Sequence, residues 1–196
     1  MNLLLETKRF LSSKFDTKDL GEAAYVLGIQ IHRDRAKCAL GLSQKTYIEK
    51  ALKKYNKHKC SASPAPIVKG DNFGEFQCPN NEYEASHMRA VPYASAVGSI
   101  MYAQVCTRPH LAFVTRMLGR YQSNPGPDHW KAVKKVLRYL QGTKSYMLTY
   151  KRLDNLEIIG YSDADFVGCV DTKKSTSGYI FTLARGAISW KSSKQT

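Results

Sequence analysis

An α+β fold, in which a β-hairpin and a helical block precede an antiparallel β-meander, is what the sequence predicts, on three observations. Apolar residues alternate over 24–43 and again in short runs after 156, the spacing that turns one side of a strand to a core. Between these regions they recur every three to four residues over 44–55, 93–105, 109–122 and 128–142, the spacing of amphipathic helices. Residues 61–90 hold prolines, glycines and asparagines without a period, which is the composition of an extended connector.

Taken in order, 6–15 reads as a short helix broken at Asp19-Leu20-Gly21. Tyr25, Leu27, Ile29 and Ile31, a polar turn at 33–37, then Leu40 and Leu42 predict a hairpin over 24–43. Ser43 is placed to cap a helix over 44–55 with Tyr47, Ile48, Ala51, Leu52 and Tyr55 on one face. After the connector, 93–105 sets Ala94, Gly98 and Ala103 beside Val97, Ile100 and Met101 for close helix packing. Pro109 suits the first position of a helix reaching 122 with Leu111, Val114 and Leu118 inward. Asn124-Pro125-Gly126-Pro127 is a stop, and Asp128 is placed to cap a helix ending at Gly142, whose buried stripe is Trp130, Val133, Leu137 and Leu140. Runs at 156–163, 178–183 and 187–192 predict strands, the last two joined by Ala184-Arg185-Gly186 with the glycine free to take a positive φ. The expected divisions are 1–60, 61–90, 91–152 and 153–196.

The 196 residues are 43% hydrophobic, enough for a core, which excludes a disordered tail. A net charge of +14 points to a polyanionic partner, nucleic acid first. Its distribution sharpens this: 1–60 carries 13 Lys/Arg against 6 Asp/Glu and 91–152 carries 10 against 1, whereas 153–196 balances at 5 against 5. No lipidation signal or long apolar run supports a membrane. Five scattered cysteines without a Cys-x-x-Cys pair, and no secretory leader, predict a reducing intracellular setting, cytoplasmic or nuclear, with no disulfide framework. His58 with Cys60 and Cys78 with His87 lack zinc-finger spacing and read as structural.

Two features could carry chemistry. Lys45, Lys50, Lys53, Lys54 and Lys57 on one helix, with Lys131, Lys134, Lys135 and Arg138 on another, could neutralise phosphates without reading bases; singly, each reads equally as a solvated helix position. Tyr121, Tyr139 and Tyr146 lie near this charge, for base stacking or for the core. Asp163 and Asp165, two apart on a strand, could turn both carboxylates to one side and hold a hard cation, or could simply form a solvated turn.

Several runs resemble the pol polyprotein of copia-type LTR retrotransposons: 16–32, 41–48, Tyr93-Ala-Ser-Ala-Val-Gly-Ser-Ile-Met-Tyr102, Thr107-Arg108-Pro109, His129-Trp130 through Thr143, and Tyr161-Ser-Asp163-Ala-Asp165-Phe-Val-Gly168. The resemblance implies the end of a reverse transcriptase palm with a thumb helix (1–60), a linker (61–90), a helical thumb and connection block (91–152) and the N-terminal part of a ribonuclease H-like domain (153–196). It implies a primer-grip-like role for Leu27 and Gly28, whereas the residues alone suggest that Gly28 relieves crowding in a strand. It makes Asp163 the first catalytic aspartate and magnesium ligand of ribonuclease H, with no catalytic role for Asp165. Phe166 stands where the family has Trp, and Arg185 where a small residue is usual. The polymerase Asp-Asp motif and the later ribonuclease H carboxylates are absent from the sequence. The expectation is therefore nonspecific binding of duplex or RNA–DNA hybrid with no stably bound magnesium. The alternatives are ribonuclease activity when a partner chain supplies carboxylates, and an unstable remnant exposing Ile158, Ile180, Phe181 and Trp190.

Overall fold

The computed structural model describes residues 2–68, 70–165 and 168–196. Its centre is a four-helix core made by α2 (Lys45–Lys54), α4 (Tyr93–Thr107), α5 (Ala112–Gly119) and α6 (Pro127–Thr143). Ile48 and Leu52, Val97 and Ile100, Leu111, Val114 and Leu118, and Val133, Val136, Leu137 and Leu140 are all at most 2% exposed in one cluster. Burying each such side chain contributes about 1.5–3 kcal/mol, so the helices stand on their shared apolar faces rather than on propensity.

Several expected boundaries move for physical reasons. The first helix, α1 (Asn2–Lys14), begins four residues before the expected start, since nothing in Asn2-Leu3-Leu4-Leu5 breaks a helix. In α4 the close-packed residues are Ala96 and Ala103; Ala94 and Met101 are exposed, and a Cβ on Gly98 would meet open space. Pro109–Leu111 forms a 3-10 turn that leads into α5, which ends at Gly119. At α6 the N-cap is Gly126 rather than Asp128: Pro127 takes the first helical position, and the Gly126 N–H donates to His129 Nδ1 at 3.0 Å. Gly142 lies inside the helix, where a Cβ would stand 2.8 Å from that of Ala62. It is needed for close approach, not for termination.

The connector is not simply extended. It holds a 3-10 turn, Glu75–Gln77, and a helix, α3 (Glu82–Arg89), capped by Asn81 Oδ1 accepting from Glu84 N at 2.9 Å. Its first half is fastened along α6: Ser63 N–H donates to Arg138 O, Arg138 donates to both Ser61 oxygens, and Lys135 pairs with Asp71 at 2.7 Å.

Two antiparallel sheets flank the helices. The first has the order β1 (Tyr25–Val26), β2 (Ile29–Asp34), β3 (Ala39–Ser43), β4 (Met147–Lys151). The expected two-stranded hairpin is thus extended by β4, a strand within the stretch assigned to the helical block. Register runs from Ala39 opposite Lys151 to Ser43 opposite Met147. That ladder places the hairpin against the end of α6. The second sheet is a meander, β5 (Ile159–Asp165), β6 (Thr176–Leu183), β7 (Gly186–Lys194). It is docked on the helices by Trp190 Nε1 donating to Gln104 O at 3.2 Å, and on β4 by the Tyr150 hydroxyl donating to Ala187 O at 2.7 Å. Ile180 and Trp190, which the unstable-remnant alternative leaves uncovered, are half-buried on the helix side; Tyr179 and Phe181 on the opposite side, and Ile158 before β5, are exposed.

Candidate nucleic-acid interface

The α2 lysines are set by helical spacing. With Ile48, Leu52 and Tyr55 inward, Lys50, Lys53 and Lys54 fall on the opposite arc and Lys45 lies off to one side at the N-terminal turn, while Lys57 lies past the helix end, beyond Asn56 at φ 55°. Lys45, Lys50, Lys53 and Lys54 are exposed and Lys57 half-buried. Among the described residues none of the five forms an ion pair. Lys54 Nζ donates to Ser95 Oγ at 2.8 Å and sits 5.3 Å from the centre of the Tyr55 ring, so it is partly committed to α4.

The α6 cations are used differently. Lys131 pairs with Asp128 at 2.8 Å, Lys135 with Asp71, and Arg138 holds Ser61, while Lys134 lies 6.0 Å from the Trp130 ring centre. Three of the four thus hold carboxylates or the connector. The sequence gives their positions on the helix but not the connector that folds back over them.

Of the three tyrosines near this charge, Tyr121 is buried, stacked at 4.0 Å on His129, with its single hydroxyl proton shared between Phe73 O and Asp171 Oδ2, both at 2.9 Å. Burial, followed by the Asp171 carboxylate, pushes its pKa far up; burial pulls that of His129 down. Tyr139 packs edge-on to His110, and Tyr146 is exposed.

Leu27 and Gly28 form the two-residue turn between β1 and β2, with φ of 49° and 75°. Gly28 is therefore needed for its left-handed backbone. Crowding is not the reason, since a Cβ there would meet Tyr102 Oη at an ordinary 3.5 Å. Leu27 projects at 80% exposure while its carbonyl accepts from the Tyr102 hydroxyl, which ties the turn to α4.

Asp163 and Asp165 share the helix-facing side of β5 and line an open cleft of about 630 Å3 with Pro109, Phe113, Tyr161 and Trp190. They are not equivalent. Asp165 is folded back on its own loop: Oδ1 accepts from Thr176 N at 2.6 Å, and a Cβ on Gly168 would lie 1.8 Å from Oδ2. Asp163 is exposed and accepts only the adjacent Ala164 N–H among the described residues. Among the described residues no three His, Cys, Asp or Glu side chains converge on a point. All five cysteines are free thiols. Phe166 lies outside the described residues. No helix among them is long and apolar enough to cross a membrane.

Sequence reasoning missed Arg108, which is 2% exposed and donates to Thr143 O at 2.8 Å and to Lys144 O at 3.5 Å. A cation on the last carbonyls of α6 complements the helix dipole. Burial pulls its pKa down.

No protein-family model matches the chain, and no solved structure matches it. Among curated proteins, the retrovirus-related Pol polyprotein from transposon TNT 1-94 of Nicotiana tabacum is 44% identical over 193 residues, 98% of this chain. The chain belongs to the copia-type retrotransposon Pol family. The Pol polyprotein from transposon RE2 of Arabidopsis thaliana is 34% identical, again over 98% of the chain. The chain spans 14% and 13% of these two proteins, so it corresponds to a segment of a Pol polyprotein. The secreted RxLR effector protein 161 of Plasmopara viticola is 52% identical over 108 residues, 55% of this chain and 76% of that protein.

Proposed function

We propose that this Pol segment holds duplex nucleic acid or RNA–DNA hybrid by its phosphate backbone, without sequence preference, as a platform within a polyprotein whose activities are RNA-directed DNA synthesis and hydrolysis of RNA in hybrids. The observation that carries the proposal is the α2 surface, where Lys50 and Lys53 share the arc opposite the core and Lys57 follows just past the helix end, with no carboxylate bound to them among the described residues. Each such cation displaces condensed counterions, giving a dependence of log K on log salt of about 0.9 per phosphate neutralised. The exposed Leu27 tip would meet a primer strand as a primer grip does. Binding of a fluorescent RNA–DNA hybrid, followed by anisotropy over a salt series, tests the proposal. Replacing Lys50, Lys53 and Lys57 together by Ala should flatten the slope by about two to three; an unchanged slope contradicts the assignment to α2.

A second reading is favoured by Asp163. The β5–β6–β7 meander would be the start of a ribonuclease H-like domain, and the free carboxylate in the open cleft would contribute to hybrid hydrolysis once further carboxylates come from elsewhere in the polyprotein or from a partner chain. Within this chain Asp163 would accept hydrogen bonds or a cation, and Trp190 and Phe113 would limit water at the cleft wall. Cleavage that depends on magnesium and on added partner protein, and that disappears with Asp163→Ala, is the expected signature.

A further inference from the structure

A second basic surface is assembled by the fold from segments distant in sequence. The Arg152 N–H donates to Cys38 O and the Lys151 N–H donates to Ala184 O, both at 2.9 Å. These bonds bring together the end of β2 and the β2–β3 turn, with Arg33, Arg35 and Lys37, the end of β4 with Lys151 and Arg152, and the β6–β7 turn with Arg185. A shallow groove of about 510 Å3 runs along the junction, lined by Arg33, Arg35, Tyr150, Lys151 and Arg152. Only two carboxylates answer these six cations among the described residues: Glu22 pairs with Arg35, and Asp34 with Lys37 at 3.3 Å. Arg33 donates to the Ala23 carbonyl, and Lys151, Arg152 and Arg185 are exposed without an ion-pair partner.

Uncompensated like charges gathered at one place oppose folding unless an anion offsets them. Arg185 adds an independent observation. It sits at φ 64°, beside Ala184 at φ 51°, in the left-handed conformation that costs a residue with a Cβ about 1–2 kcal/mol. Glycine would occupy this turn more comfortably, and local strain of this kind marks positions where a side chain is kept for use.

We propose that this junction is a second phosphate-backbone contact, so that one duplex is gripped at both ends of β3, by the α2 lysines and by Lys151, Arg152 and Arg185. The strand spans about 17 Å at ~3.4 Å per residue, and Lys50 and Lys53 lie a further ~8–12 Å along α2 at ~1.5 Å per residue, so the path between the two groups is at most about 30 Å, less than the ~34 Å of one duplex turn. The inference rests on the nucleic-acid reading above. The cations stand around a groove whose floor includes Leu40 and Tyr150; both are half-buried, so no apolar wedge projects for insertion into a lipid surface, and the excess of cations favours a phosphodiester chain.

The test compares the whole chain with the triple variant Lys151→Gln, Arg152→Gln, Arg185→Gly, all α2 lysines being retained. Binding of a labelled DNA duplex is followed over a salt series, with anionic phosphatidylserine vesicles as a parallel probe. Arg185→Gly suits the backbone of the turn, and circular dichroism checks the fold. The expected result is a slope of log K against log salt smaller by about two to three, from ~0.9 per lost contact. Duplex binding by the parent with an unchanged slope in the variant overturns the second contact and leaves the α2 reading standing. No duplex binding by the parent at low salt overturns both. A variant that loses vesicle binding alone makes the junction a membrane surface and overturns the inference.

Discussion

Replacing Arg185 by Gly should make the protein more stable, and the size of the gain can be worked out from the turn. Leu183 and Gly186 close the β6–β7 hairpin, and the two residues between them, Ala184 and Arg185, both have positive φ, the geometry of the tight turn whose twist matches the strands. The sequence placed the positive φ on Gly186, but that glycine is needed for another reason: a Cβ there would stand 2.5 Å from Tyr150 Cδ1 and 2.6 Å from Thr149 O. Relief of the left-handed conformation at 185 is worth about 1–2 kcal/mol, and the greater unfolded-state freedom of glycine takes back about 0.5–1. The net gain is about 0.5–1 kcal/mol, or a Tm rise of roughly 1–4 °C for a chain of this size. Gly186→Ala, one residue away, should act in the opposite direction by about 1–3 kcal/mol, because the clash includes backbone that cannot step aside. Urea unfolding of both variants measures this. Loss of stability in Arg185→Gly would refute the reasoning and mean that the guanidinium makes a stabilising contact outweighing the strain.

Lys131→Ala with Lys135→Ala should change the salt dependence of hybrid binding by less than one contact, about 0.9 in slope, because both ammonium groups are already paired with carboxylates; a drop near two would show that the pairs open on binding. Tyr121→Phe removes the proton shared by a carbonyl and a carboxylate, and should destabilise by about 1.5–3 kcal/mol, measured by urea unfolding; a loss below ~1 kcal/mol would mean that the connector and the 169–175 loop are held by other contacts. Leu137→Ala, in the middle of the core, should cost about 2–5 kcal/mol, read from the same unfolding curve. Burial raises the Asp71 pKa, while the Lys135 ammonium and the Val68 N–H lower it more, so that it lies below its ordinary 3.8. A carboxyl whose pKa is lowered on folding stabilises above its unfolded value and loses that contribution as pH falls through the folded one. Stability should therefore fall below about pH 4, and Asp71→Asn should weaken that fall, as acid titration of the unfolding midpoint would show; an identical acid profile would contradict the pairing.

The helices α2, α5 and α6 were legible because their apolar residues recur at helical spacing, and Ile48, Leu52, Val114, Leu137 and Leu140 are buried as that spacing requires. Strand β4 was not. Only Leu148 and Tyr150 of its five residues turn inward, and its partner β3 lies about a hundred positions upstream, beyond any local pattern. Helix α3 was hidden by polarity, since Glu82, Glu84, His87 and Arg89 read as loop even though Asn81 carries a cap signal. At the candidate interface, spacing put the cations on faces but could not say which faces are covered. Lys135 and Arg138 are engaged by the connector, while the Arg152 and Arg185 junction depends on main-chain bonds between remote segments. Asp163 and Asp165 looked alike in sequence and differ because the chain after Asp165 folds back onto its carboxylate.

The most direct test of the central claim is to bind the purified chain to an RNA–DNA hybrid in magnesium over a salt series and to examine the RNA strand afterwards. Tight binding at low salt that weakens linearly in log–log form, with the RNA intact, is the expected result. Absence of binding at low salt, or RNA cleavage by the chain alone that Asp163→Ala abolishes, would contradict it.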